Sequence, residues 1–342
     1  MRMVYFSMRQ PDMDGMVANM IEAQKMYASH GITTAQDGAT LENIEALCRE
    51  TARRDEMLID VVGYNMIEND VNVTEYKNGF RIGGAKLLLD GSPQGKTAWL
   101  TKPYHVVPEG EKEDYCAYPT FTDEEVYGFC KKAIENNIQL LTHMNGDAAI
   151  DQFFRCYKKA LELTGNTTAT TDLRPVLVHC QAIRKDQLER MAKLGAEPTF
   201  FNDHVWFWGD YHYESVFGPE RAQNISPIGS ALEKGILFTL HQDPPVKIPN
   251  QILGIHNAVN RKTESGRVLG EHQRISVMEA IKAVTINGAY QYFEEDVKGS
   301  LEVGKLADMV ILDKNPLEIP AKELDTIKVV ETIKEGKTIF AI

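Results

Sequence analysis

Residues 139–149 read QLLTHMNGDAA, and this stretch decides the fold class of the chain. Its first four residues, 139–142, predict a short buried strand that ends directly before His143. The apolar pattern that begins at Ala148 predicts a helix over residues 148–164. A buried strand followed closely by a helix is the repeating unit of a parallel sheet with helices packed outside it. The stretch therefore indicates an α/β fold in which a histidine stands at the carboxyl end of a strand.

The same strand–helix unit repeats along the chain. Apolar, β-rich runs predict strands at 32–36, 58–64, 85–89, 139–142, 176–179, 197–201 and 236–240. Helical patterns between them lie at 12–30, 41–54, 123–136, 148–164, 185–194 and 228–234. Asn137, Gly195 and Gly235 each stand between a helix and the next strand, where a left-handed residue commonly ends a helix. Seven strands are counted and eight are expected, so the pattern predicts a (β/α)8 barrel of the TIM type.

Two regions depart from this rhythm. Residues 92–122 form a long irregular insertion after a strand, which predicts a lid over the site. After a helix predicted at 276–291, the alternating pattern around Gly304 and Lys305 predicts antiparallel strands. We therefore divide the chain into a barrel domain, residues 1–295, and a small β-rich tail domain, residues 296–342.

Composition argues against several classes of protein. The formal net charge of −12 argues against nucleic-acid binding, because such proteins concentrate Lys and Arg. No apolar run reaches the roughly 18 to 20 residues of a membrane span, and the first ten residues do not resemble a signal peptide. We therefore expect a cytoplasmic protein that binds neither nucleic acid nor membrane. The five cysteines are odd in number and form no CxxC pair, so they predict neither disulfides nor a thiolate zinc site.

Polar side chains gather where the predicted strands end, at the rim that carries the active site of an α/β barrel. The group comprises Asp37, Asn65, Asp90, His143, His179, Asn202, His204 and Asp243. One strand–helix unit separates His143 from His179, so we expect these two side by side. Neutral imidazoles in that arrangement are ligands for a divalent metal ion, zinc above all. The alternative for either histidine alone is a hydrogen-bonded rim residue.

Asp243 and Lys86 are the other candidates for chemistry. Asp243 follows the last predicted strand, and a carboxylate there can bind metal and accept a proton as general base; its alternative role is a turn cap. Lys86 lies within the strand at 85–89, where a cation must point into the barrel. It is either paired with a carboxylate such as Asp90 or converted to a carbamate that bridges two metal ions, and the sequence favours pairing.

A mixed aromatic and ionisable segment follows the strand at 197–201. We assign its residues His204, Trp208, Asp210 and His212 as contacts to a small-molecule substrate, with a surface helix that buries its tryptophans as the alternative. Arg221 either holds a substrate carboxylate in a bidentate contact or caps a helix with its neighbour Glu220.

Five motifs in a fixed order carry a resemblance to a known family. They are KLLLDGS at 86–92, THMNGDAA at 142–149, VHCQ at 178–181, QDPPV at 242–246 and GKLAD at 304–308. Together they resemble the YtcJ-like branch of the amidohydrolase superfamily, often called amidohydrolase family 3. The resemblance implies a (β/α)8 barrel with a β-sandwich assembled from both chain ends. It also implies hydrolysis of an amide, N-acyl or cyclic amide C–N bond, other than a peptide bond, through metal-activated water.

The resemblance also implies roles for single residues. His143 and His179 would be metal ligands, Lys86 a bridging ligand once carboxylated, and Asp243 both ligand and general base, for one or two divalent ions. Asp147 would orient the loop of His143. His241, which stands where the family more often has glycine, would add a contact to the substrate or to a ligand, and we count Asp90 with the substrate contacts.

One family feature has no counterpart in the sequence. Members carry a His-x-His pair on the first barrel strand, and this chain contains none. We therefore expect strands 2 to 8 of the usual eight and an N-terminally truncated barrel with a β-sandwich remnant in the tail. Either a second copy or another segment covers the open edge, or the chain rearranges there. Two alternatives remain: a catalytically inactive truncated barrel that acts as a binding or scaffold protein, and a metal-independent lyase or isomerase that uses Lys86 as a Schiff-base amine.

Overall fold

The computed structural model describes residues 12–167 and 171–342. The first eleven residues, to which the expectation about a signal peptide and the start of the predicted barrel domain refer, lie outside the described residues. Within the described ranges, no helix is both long and apolar enough to cross a membrane.

A seven-stranded parallel sheet positions the candidate site. Its strands pair in chain order from one edge to the other, so each strand–helix unit adds the next strand alongside the last. The strands are β1 (Thr34–Thr40), β2 (Asp60–Met66), β3 (Phe80–Leu88), β4 (Gln139–Met144), β5 (Val176–His179), β6 (Glu197–Phe200) and β7 (Thr239–Leu240). All seven predicted strands are present, which confirms the α/β class, although several bounds differ.

The bounds differ most at the start of β3, which was predicted at residue 85 and begins at Phe80, and at the two edges of the sheet. The first strand, predicted at 32–36, begins at Thr34 and continues to Thr40. The last strand, predicted at 236–240, pairs only at Thr239 and Leu240. An edge strand has a partner on one side only, so side-chain pattern alone does not fix how much of it joins the ladder.

Helices cover the sheet between successive strands. They are α1 (Met13–Ser29), α2 (Glu42–Arg53), α3 (Asp123–Glu135), α4 (Asp147–Thr164), α5 (Lys185–Leu194), α6 (His204–Tyr211), α7 (Gly218–Ala222), α8 (Ile228–Glu233), α9 (Gln251–Asn260), α10 (Val277–Ala283) and α11 (Ile286–Gln291). Asn137, Gly195 and Gly235 have positive φ, as predicted for residues between a helix and a strand. The single helix predicted at 276–291 is wrong, because Thr285 leaves the helical conformation and separates α10 from α11.

Side chains from α11 connect the two edge strands. Gln291 donates from Nε2 to Gln36 Oε1 at 3.0 Å on the β1 side. It accepts from Thr239 Oγ1 at 2.8 Å on the β7 side. Gln291 is buried. Among the described residues β1 and β7 do not pair with each other, so this amide is a direct link across the opening of the sheet.

The tail contains a three-stranded antiparallel sheet of β8 (Met309–Leu312), β9 (Val329–Lys334) and β10 (Lys337–Ala341). Antiparallel strands were predicted here, but the turn was placed wrongly. Gly304 and Lys305 lie in irregular chain before β8, whereas the hairpin turns at Glu335 and Gly336. Both of these residues have positive φ, as a two-residue turn that matches the twist of a hairpin requires.

Candidate active site

His143 and His179 lie side by side at the carboxyl ends of β4 and β5. The register pairs Met144 with His179, and the centroids of the two imidazole rings are 4.8 Å apart with nearly perpendicular planes. His143 is the penultimate residue of β4, and its side chain is 17% exposed. His179 is buried. The sheet thus brings together the two histidines that the sequence selected.

Three residues at this end of the sheet have left-handed backbone conformations. The φ angles are +71° at His179, +45° at Cys180 and +51° at Asp243. Non-glycine residues with positive φ cost free energy, commonly about 1–3 kcal/mol, and cluster where a side chain must be aimed at a functional site. Two of the predicted metal ligands therefore occupy strained positions.

His241 joins the pair of histidines from the end of β7. Its Nε2 lies 3.0 Å from His179 Nδ1, and its Nδ1 lies 3.0 Å from Thr199 Oγ1 on β6. Burial lowers the pKa of both His179 and His241 well below the usual range, and the neighbouring histidines lower it further. Both rings are therefore neutral, the form in which imidazole binds a metal ion.

Lys86 is buried inside β3, and its side-chain ammonium group forms no hydrogen bond or ion pair with any described residue. The predicted pairing with Asp90 is wrong. Loss of hydration lowers the pKa of Lys86 to about 8, while the charges of Asp243 and Asp37 partly oppose this shift. An amine of this kind is a better nucleophile at neutral pH than an ordinary lysine.

Asp243 stands at the mouth of the site, on the loop that follows β7. It is exposed to solvent, yet the surrounding protein displaces enough water to raise the pKa of its carboxyl group, an effect that Lys86 and His143 oppose. Asp37, within β1, is a second carboxylate whose charge acts on Lys86. Burial raises the pKa of Asp37 as well.

Asp90 is enclosed beneath the loop of His143. Its carboxylate accepts hydrogen bonds from the backbone N–H groups of Asn145 at 2.9 Å, Gly146 at 2.7 Å and Trp99 at 3.1 Å. Its Oδ1 also lies 3.3 Å from His143 Nδ1. On the other side of the imidazole, Asn145 Nδ2 lies 3.3 Å from His143 Nε2. The Asn145 contact favours the tautomer with the proton on Nδ1, because Asn145 Nδ2 donates to Nε2. The charge of Asp90 favours the same tautomer, but His143 Nδ1 has no hydrogen-bond partner within the described ranges.

Asp147 fastens the insertion 92–122 to the loop that follows His143. Its carboxylate accepts from the backbone N–H of Thr101 at 2.8 Å and from the hydroxyl of the same residue, and Arg184 lies 3.0 Å away. The insertion also packs against the segment after α6, where His105 N donates to Val216 O. It is therefore anchored at both ends of the site.

The predicted substrate contacts occupy different surroundings. His204 and His212 are buried, with ring centroids 6.0 Å apart, and His204 stacks 6.0 Å from His179. Trp208 is half-buried on the same helix. Asp210 instead accepts hydrogen bonds from the hydroxyl groups of Thr263 and Ser265. His204 alone of this group lies against the histidine cluster.

Arg221 faces a separate cavity. The cavity has a volume of about 360 Å³ and is lined by residues that include Asp147, Arg184 and Arg221 but none of the histidines. The guanidinium group donates to the carbonyl oxygens of Phe217, Lys102 and Pro103. Arg221 therefore braces α7 against the insertion rather than lying beside the candidate ligands.

Sequence reasoning missed Thr199 and gave no role to Asp37. Thr199 lies within β6, and we had looked for chemistry only after the strand ends. The available signal was the alternation of side-chain directions along the strand, because the inward-facing positions of a strand all lie on one face. Asp37 had been noted at the rim, but its relation to Lys86 depends on the approach of β1 to β3 across β2.

The donor set fits a divalent metal ion. No three or more His, Cys, Asp and Glu side chains in the described part of the chain already stand in the arrangement of a metal site. Neutral imidazoles at strand ends, with a carboxylate and a deprotonatable amine beside them, are nevertheless the ligand types that first-row divalent ions take. The residues present thus match the group that the resemblance implies.

Comparisons with known proteins identify relatives of the chain. The chain is 26% identical over 266 residues to the putative amidohydrolase YtcJ of Bacillus subtilis (strain 168), which covers 75% of this chain and 47% of that protein. It is 28% identical over 221 residues to the N-substituted formamide deformylase of Arthrobacter pascens, which covers 63% of this chain and 39% of that protein. The chain thus spans about half the length or less of these curated relatives.

A solved structure has the same fold. An uncharacterized metal-dependent hydrolase from Pyrococcus furiosus superposes with a TM-score of 0.76 at 23% sequence identity, over 93% of this chain and 64% of that chain. The model of the amidohydrolase family matches residues 3–340. On that match, which spans nearly the whole sequence and includes the five motifs, the chain belongs to the amidohydrolase family.

Proposed function

We propose that this chain carries the catalytic centre of a metal-dependent hydrolase that cleaves a C–N bond other than a peptide bond, in an amide, N-acyl or cyclic amide substrate. One observation carries the proposal. The ring centroids of His143 and His179 are 4.8 Å apart at one end of the parallel sheet. Lys86 lies near enough to Asp243 for the charge of this carboxylate to raise the pKa of the lysine. In parallel α/β folds, that end of the sheet is where catalysis is built.

The ion would be held by His143 and His179, with Lys86 and Asp243 as the further ligands. A bound divalent cation would supply Lewis-acid polarisation of the substrate carbonyl group and would acidify water at neutral pH. Zinc suits this mixture of nitrogen and oxygen donors. Whether one or two ions bind depends on Lys86, since a carboxylated lysine can bridge two.

The protein's own side chains would then transfer a proton and position the other groups of the site. Asp243 would accept the proton of the attacking water and pass it to the leaving nitrogen, because it is the carboxylate at the mouth of the site. Asp90 would keep His143 in the tautomer that leaves Nε2 available, which is a positioning role and replaces our earlier assignment as a substrate contact. Asp147 would hold the insertion over the bound substrate.

A small acyl or formyl amide is the substrate class we favour. The deformylase relative acts on N-substituted formamides, as its name states, and a small-molecule amide fits a site enclosed by the insertion 92–122 and the aromatic α6. We further propose that the sheet is a TIM-type barrel short of its first strand, and that a second copy covers the opening between β1 and β7.

Hydrolysis by the zinc-loaded chain tests the proposal. Purified protein would be freed of metal, reloaded with zinc, and assayed for amine release from a panel of N-formyl and N-acyl amines. We expect zinc-dependent release that falls by at least about 100-fold in Asp243→Asn, the size of effect typical for loss of general base catalysis. Asp296→Asn, at an exposed aspartate, is the matched control and should keep full activity.

The same assay separates this function from its alternative. A chain that binds no zinc and hydrolyses nothing on the panel would be a binding or scaffold protein. Zinc-independent activity lost on Lys86→Met, with an adduct trapped by borohydride, would instead identify Schiff-base chemistry.

A further inference from the structure

His179 and His241 face each other through ring nitrogens. His241 Nε2 lies 3.0 Å from His179 Nδ1, so one nitrogen must carry a proton and the other must accept it. On the far side of the His241 ring, Nδ1 lies 3.0 Å from the hydroxyl oxygen of Thr199. If Nδ1–H donates to that hydroxyl, the lone pair of Nε2 is directed at His179.

The separation of these two nitrogens is close to that of two ligands on one ion. Tetrahedral zinc with Zn–N bonds of about 2.0–2.1 Å places its ligand nitrogens about 3.4 Å apart. The observed 3.0 Å is within about 0.4 Å of that value, and the two rings would have to turn until both lone pairs converge on one point for an ion to replace the shared proton. The ring centroid of His179 is 4.8 Å from that of His241 and 4.8 Å from that of His143. His179 is thus the central member of three adjacent imidazoles.

We infer that His241 is a metal ligand of this chain and binds the ion together with His143 and His179. The inference rests on the proposed metal-dependent function and adds a ligand to it. Three histidines are a ligand set found at catalytic zinc sites, and Lys86 and Asp243 remain the further ligands of the proposed function. The third imidazole would compensate for the His-x-His pair that the sequence lacks. Thr199 is then a positioning residue that fixes the tautomer of His241.

The supporting contacts make His241 a better candidate than the other nearby histidine. His204 stacks against His179 with centroids 6.0 Å apart and packs on Phe201 at 4.0 Å. Neither ring nitrogen of His204 has a contact that would aim the other at the cluster, and its Nδ1 is buried without a partner. His241 alone has one nitrogen held by a hydroxyl and the other against His179.

Zinc affinity measured by competition with a chromophoric chelator tests this inference without any substrate. His241→Ala should weaken zinc binding by more than about 100-fold, beyond the 10- to 100-fold range typical of residues that only orient a ligand. Thr199→Val should fall within that lower range. His256→Gln, a half-buried histidine on α9, should leave the affinity unchanged, and circular dichroism would verify that each variant is folded.

A second readout reports coordination directly. Cobalt in place of zinc should show a visible absorption spectrum that changes in His241→Gly and returns when free imidazole is added, because the small ligand can occupy the vacated position. Tight zinc binding in the parent protein that His241→Ala leaves intact would overturn the role of His241 while the proposed function stands. Absence of zinc binding in the parent protein would overturn both.

Discussion

Glu197 provides a test of how the sheet tolerates a buried charge. It is the first residue of β6, at the end of the strands opposite the candidate site. It is only 4% exposed, and its buried Oε1 has no hydrogen-bond partner among the described residues. Loss of hydration raises the pKa of its carboxyl group to about 8; Arg174 opposes the shift, whereas Asp172 and Glu295 add to it. The folded protein therefore holds a proton on Glu197 at neutral pH.

The sign and size of the effect on stability follow from this raised pKa. An ordinary glutamate in the unfolded chain loses its proton near pH 4.5. Between that pH and about pH 8 the folded state binds one proton more than the unfolded state, so the free energy of unfolding falls as pH rises. The gap between the two pKa values corresponds to roughly 4 to 5 kcal/mol. That stabilisation is complete below the unfolded pKa and is lost by about pH 8.

Glu197→Gln removes the titration while keeping the shape of the side chain. Urea denaturation should give similar unfolding free energies for the variant and the parent at about pH 5, and a variant more stable by several kcal/mol at about pH 9. Glu233→Gln, at the exposed end of α8, is the control for the loss of one glutamate charge at a position where the carboxylate is hydrated. A difference between Glu197→Gln and the parent that stays constant across this range, or shrinks as pH rises, would refute the reasoning.

Three further predictions concern the loop of His143, the helix before it and the tail. Gly146→Ala should lower the thermal midpoint and the zinc affinity, because an added Cβ would collide with the backbone of the insertion. Gly128 has open space around it, so Gly128→Ala should stabilise its helix by about 0.5–1 kcal/mol in the same scan. Asp90→Asn should weaken zinc binding about 10- to 100-fold with little change in circular dichroism, and an unchanged affinity would contradict its positioning role. Lys298→Met removes one of two cations from each of two buried carboxylates, Asp60 and Glu294, which Lys334 and Arg81 still contact. It should therefore cost less in denaturation than the roughly 3–5 kcal/mol of a fully unpaired buried charge, while Lys282→Met, at an exposed pair, should stay within about 0.5 kcal/mol.

The sequence predicted the sheet well because its signal is periodic and local. Each strand before a helix could be located from apolar runs, and His143 and His179 could be placed side by side by counting one unit between them. Helix ends at Gly195 and Gly235 were equally local, since a left-handed residue there satisfies the last carbonyl groups of the helix.

The errors at the site concern contacts that no local pattern encodes. Gln291 links Gln36 to Thr239, three residues far apart in the sequence whose approach depends on how the sheet curves. The pairing of Lys86 with Asp90 failed because Asp90 is already surrounded by backbone N–H donors. Side-chain partners of this kind are chosen by tertiary packing, so composition and spacing leave them open.

The sequence lacks the His-x-His pair, but every candidate ligand lies in or just after one of the strands from β3 to β7. Lys86, His143, His179 and His241 stand in or just after β3, β4, β5 and β7, and each neighbouring pair of strands from β3 to β7 is hydrogen-bonded. The opening between β1 and β7 lies beside this set rather than through it. Whether His143, His179 and His241 hold the ion together is therefore the quantity that the His241 variants measure.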